Sequence, residues 1–139
     1  MKTELNYISF SSNKSIEELR YILSNHISNL EHIKVELEFY NNLLDKPIYK
    51  PEVRNLFEKL DGFKNEINLI IEKHMVFLNN QLYAHLNSVK NKIECDDVAC
   101  DNFFISEHEA LDLEVFNFYK EVNDLKSRLF PFVLSVLND

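Results

Sequence analysis

The chain has 139 residues, a formal net charge of −8, one glycine, three prolines and two cysteines. That length suits a single domain with a real core, the shortage of glycine and proline denies an all-β fold its tight turns, and two cysteines are too few for a disulfide framework. No Lys/Arg cluster supplies the basic stripe that phosphate neutralisation requires, so nucleic acid is not an expected partner.

The charge is unevenly placed. Residues 94–124 carry ten acidic side chains against Lys120 alone, a balance of −9, which favours solubility and can steer a basic partner. Met1–Tyr7 lacks the apolar core of a signal peptide, and no apolar run approaches the roughly 20 residues needed to cross a bilayer. A cytoplasmic protein with reduced thiols and no membrane partner is the expectation.

Residues 1–14 are polar without a clear period and read as an N-terminal arm; residues 15–139 read as a single helical-bundle domain. Ser15-Ile16-Glu17-Glu18 forms a capping box, and Ile16, Leu19, Leu23, His26, Leu30, Ile33, Leu37, Tyr40 and Leu44 follow at steps of three and four. That spacing keeps them on one side of a helix, which should run to about Asp45, where Lys46-Pro47 breaks it. Residues 46–50 form the turn.

Pro51 is suited to the first position of a second helix. Its seam is Val53, Leu56, Leu60, Phe63, Ile67, Ile70, His74 and Phe77, after which the apolar line passes to Met75, Leu78, Leu82, Leu86, Val89 and Ile93. A 3.6-residue helix carrying a period of 3.5 drifts in this way. Asp61-Gly62 interrupts the segment, but the seam keeps register across it, so a continuous or slightly kinked helix fading near Glu94 is predicted. Residues 95–105 read as the longest loop, with Phe103, Phe104 and Ile105 folding back over the bundle end.

A second capping box, Ser106-Glu107-His108-Glu109, opens the third helix. Its seam is His108, Leu111, Val115, Phe118, Val122, Leu125, Leu129, Phe132 and Val136, and Pro131 should kink it or end its regular part. The fold class is therefore all-α, an antiparallel up-down-up three-helix bundle with long coiled-coil-like helices. The last helix carries a second apolar line, Phe116, Tyr119, Phe130, Val133 and Leu137, which is more than one seam needs. It is a candidate surface for a homo-oligomer or a protein partner.

Glu36-Leu37-Glu38-Phe39-Tyr40, the Phe- and Asn-rich second helix and His108-Glu109-Ala110-Leu111 resemble a group of small bacterial three-helix proteins with no assigned activity. The resemblance spans roughly residues 28–137 as a helical pattern. It implies the fold and no catalysis; Asn41-Asn42 stands where the pattern has a charged pair, and the Cys95/Cys100 loop lies outside it.

Chemistry, if there is any, rests on histidines. If the tops of the first two helices, at the turn that joins them, are level, His26 and His74 lie roughly 29 and 34 Å below them and meet across the core, and His85 approaches His108. These four are the candidate metal ligands. No histidine has Glu or Asp three residues before it, as di-iron bundles require; His32 with Glu36 and His108 with Asp112 are four apart, and no His-Glu-x-x-His occurs. Cys95 and Cys100 lack two further zinc ligands close in sequence. One glycine excludes phosphate-cradling loops, dinucleotide fingerprints and a glycine-flanked serine nucleophile. The expectation is a non-enzymatic interaction or scaffold module without a cofactor, the alternative being a metal-binding or redox bundle built on the seam histidines.

Overall fold

The computed structural model describes residues 16–90 and 98–139, and side chains over 17–88 and 105–139. Every named element is helical: α1 (Ile16–Leu44), α2 (Leu56–Leu69), a π-helical segment (Ile70–Met75), α3 (Val76–Lys90) and α4 (Val98–Val136). The residues flanking the π segment, Leu69 and Val76, keep right-handed helical dihedrals, so α2, the π segment and α3 form one continuous rod. Three helical rods pack against one another as a helical bundle.

The heptad residues make that packing. Leu23, Leu30, Leu37, Tyr40 and Leu44 of α1 form one buried cluster with Leu56, Leu60 and Ile67 of α2, Leu78 and Leu82 of α3, and Leu111, Val115, Phe118, Val122, Leu125, Leu129 and Val136 of α4. Each large aliphatic side chain so buried contributes about 1.5–3 kcal/mol relative to exposure. Pairs between the rods fix their register. Lys64 meets Asp45, Asn41 donates to Asn68 at 2.8 Å, and Tyr83 donates to Glu31 at 3.2 Å. Arg128 clasps Glu66, donating from Nη1 at 3.1 Å, and Lys126 lies 3.0 Å from Glu36.

The first helix matches its heptad limits; its capping serine, Ser15, lies outside the described residues. The second begins at Leu56, not at Pro51. The intervening backbone is committed elsewhere: Lys50 N–H donates to Val136 C=O at 2.7 Å and Asn138 N–H to Ile48 C=O at 2.8 Å, forming a bridge between Tyr49 and Leu137. Two tight turns follow, Val53 N–H to Lys50 C=O and Leu56 N–H to Val53 C=O. Asn55 then takes a left-handed φ of 57°, a conformation asparagine tolerates better than most residues. Its carbonyl accepts the first helical bond, from Lys59 N–H.

Gly62 lies inside α2 without breaking it. The disturbance falls later, in the π segment, where buried residues step by five from Ile70 to Met75. A strict alternation would place the next seam residue at 74. The extra residue, rather than gradual drift, hands the apolar line from His74 to Met75, and His74 is left with its side chain 48% exposed. Phe77 is turned out in the same way, 54% exposed.

The last helix starts eight residues before the expected Ser106, at Val98. Phe103, Phe104 and Ile105 are therefore helical and do not form a fold-back loop. Phe104 stands seven residues before Leu111, so the heptad already reaches upstream of the serine; Ser106 and Glu107 are exposed, which a helix surface accommodates as readily as a cap. The helix also passes through Pro131 to Val136. Proline removes the bond that would reach the Ser127 carbonyl, and its exposed position lets the rod continue. The expected fading of the second helix near Glu94 lies outside the described residues.

Candidate functional site

Two places on the bundle carry more than packing: an apolar groove near the Tyr49–Leu137 bridge and a histidine cluster toward the other end. The groove lies between α1 and α4. Phe39, Tyr40 and Leu43 line one wall and Phe130, Val133 and Leu134 the other. At about 100° per residue, Phe39 is turned off the seam that Tyr40 occupies, and it is 58% exposed, while Leu134 is 74% exposed.

The floor is held by Tyr40. Its ring meets Phe130 edge to face, with centroids 5.4 Å apart, and its hydroxyl donates to Glu36, which also pairs with Lys126 of α4. Burial, reinforced by the acceptor carboxylate, holds the phenol above its ordinary pKa. Tyr40 thus turns its polar atom away, and no charged side chain lines the groove.

Of the five candidates on the second apolar line, Phe130 and Val133 belong to this groove. Tyr119 and Leu137 are partly buried against the core. Phe116 is half-buried, with Lys120 Nζ 5.7 Å from its ring centre. Phe39, Leu43 and Leu134 also line the groove and lie outside the second apolar line. A signal was present: Val35 and Phe39 on α1, and Phe130 and Leu134 on α4, are apolar pairs four apart that stand off the seams.

In the cluster, His108 of α4 is 0% exposed and His85 of α3 is also buried; their rings lie 5.6 Å apart between centres. Asp112, one turn after His108, stands between two imidazoles: its Oδ1 is 2.9 Å from His26 Nε2 of α1, and its Oδ2 is 3.4 Å from His108 Nε2. His85 Nδ1 lies 3.3 Å from Glu107 Oε1. Burial is the largest influence on both imidazoles and lowers both pKa values; nearby carboxylates oppose it without overcoming it.

His85 and His108 therefore come together, and His26 joins them through Asp112. His26 and His74 do not meet. The Tyr83–Glu31 pair sets His26 level with the far part of α3, so His74 lies roughly 21 Å away along the bundle axis. It instead lies 3.5 Å from Glu121 on the surface. The two helices do not begin level: Asp45, just past the end of α1, meets Lys64, eight residues into α2, and this offset separates the two histidines. Glu107, a partner of His85, was read only as a cap. Among the described residues, no group of three or more His, Cys, Asp or Glu side chains is placed to hold a metal ion. Cys95 lies outside the described residues, and Cys100 is described only as helical backbone.

Comparisons with protein-family models, with curated proteins and with solved structures found no match. No helix among the described residues is long and apolar enough to cross a membrane.

Proposed function

We propose that this chain is a non-enzymatic, cytoplasmic interaction module that self-associates through the apolar groove between the ends of α1 and α4. The observation that carries this reading is the exposure of Phe39 and Leu134 beside a groove without charged lining. A surface that offers both a protruding leucine and a groove able to receive one is self-complementary, which a two-fold dimer requires. Monomeric proteins rarely leave contiguous large apolar side chains in water without such a use.

The same reading takes the bundle as an antiparallel up-down-up array of long coiled-coil-like helices. The pairings Asn41–Asn68 and Glu31–Tyr83 between the first two rods, and Glu66–Arg128 and His85–Glu107 between the second and third, support that arrangement, since in each case residue numbers rise along one rod as they fall along the other. Sedimentation over a wide concentration range is the test. A dimer that Leu134→Asp converts to monomer, with helix content unchanged, is expected. A chain that stays monomeric at every concentration overturns the proposal.

A further inference from the structure

The histidine cluster lies toward one end of the described bundle. His85 lies five residues before Lys90, the last described residue of α3, and His108 ten residues after Val98, the first described residue of α4. The two imidazoles meet across this junction at 5.6 Å, and among the described residues neither ring nitrogen of His108 makes a hydrogen bond. We propose that His85 and His108 form a proton-sensitive latch: neutral, they pack α3 onto α4, and protonated, they open that end of the bundle.

The groups facing the pair come from all three rods. His26 of α1 is bonded to Asp112. From α4, Glu107 reaches His85, while Asp112 and Glu109 act on His108. Two carboxylates near His108 do not offset the removal of its imidazole from water, and His85 and His26 act against a charge there as well. Charging both rings would place two cations side by side in a buried site, where unfavourable solvation and repulsion add. Opening relieves both, because water then reaches the rings.

The sign follows from proton linkage. Both histidines have folded pKa values below the ordinary 6.5, so the open state binds more protons. The stability they confer is complete above that value and is lost as pH falls from it toward the folded values. Each such histidine makes the opening constant rise by up to about tenfold per pH unit, and two by up to about 100-fold. Below about pH 5 carboxylates begin to contribute, so the informative window lies above it.

Three measurements on the whole chain test the latch. In titrations followed by NMR, two imidazoles should titrate below 6.5, and they should be assigned to His85 and His108. Amide exchange corrected for its intrinsic pH dependence should accelerate on acidification at 78–88 and 105–112, ahead of 40–60 and 125–137. His108→Leu and His85→Leu should each remove about one proton from the linkage, and the pair of substitutions nearly all of it. Titration of both rings at or above the ordinary value, acceleration spread evenly along the chain, or an unchanged linkage in the doubly substituted chain would overturn the proposal. The NMR titration needs no substitution, so misfolding of a variant leaves the test intact.

Discussion

Gly62 shows how little a residue type decides without its setting. It lies in the interior of α2, lacks the positive φ that would demand glycine, and an added Cβ would meet nothing within 4 Å. In an exposed helix interior alanine is favoured by about 1 kcal/mol, partly because glycine leaves the unfolded chain more freedom. Gly62→Ala is therefore expected to raise the unfolding free energy by about that amount without altering the fold, as denaturant titration would show through a higher midpoint at unchanged slope. This much was legible in the sequence, since Leu60, Phe63 and Ile67 hold one line across the glycine. The left-handed Asn55 was not, because its conformation follows from the pairing of Lys50 with Val136, a contact between residues far apart in the chain.

At the scale of elements, heptad spacing identifies which faces are buried but misplaces the places where two helices are spliced or begin. The start of α4 was hidden because a capping box and an exposed Ser-Glu pair on a helix surface are the same letters. The π segment left a plainer trace. Buried residues of the second rod fall at 56, 60, 67, 70, 75, 78, 82 and 85, and Phe63 packs partly against the same core. Removing one residue after Ile70 restores steps of four and three throughout. A π turn is one residue inserted into an α-helix, so deletion of the exposed Lys73 should convert the segment to α-helix and keep every downstream side chain on its face. Deletion of Glu58, equally exposed but in regular α-helix, should rotate one part of the rod by about 100° against the other and remove its seam from the core. Circular dichroism and thermal melting distinguish the two: cooperative unfolding near the parent midpoint is expected for the first deletion, and its loss for the second. Loss of cooperativity in both would mean that the extra residue has a packing role the spacing does not reveal.

The whole molecule separates its two unusual features along its length. Phe39 stands thirteen residues beyond His26 on α1, a rise of roughly 20 Å, and the groove and cluster share no lining residue. Between them the rods are held by ordinary aliphatic packing through Leu30, Leu37, Leu78, Val115, Phe118 and Val122. Substitutions that far apart and without shared partners combine additively to within about 0.5 kcal/mol. Leu134→Asp is accordingly expected to change association and leave the proton linkage intact, while His108→Leu should change the linkage and leave the association constant intact above neutral pH. The chain carrying both should show the sum. The decisive measurement is the dimerisation constant of the parent and the His108→Leu chain at two pH values. Acidification also reduces the net charge of this acidic protein and so weakens repulsion between copies, an effect that should appear equally in both chains. A difference between them that grows as pH falls would instead show that opening at the histidine end reaches the groove, making the bundle one coupled unit rather than two sites on a common rod.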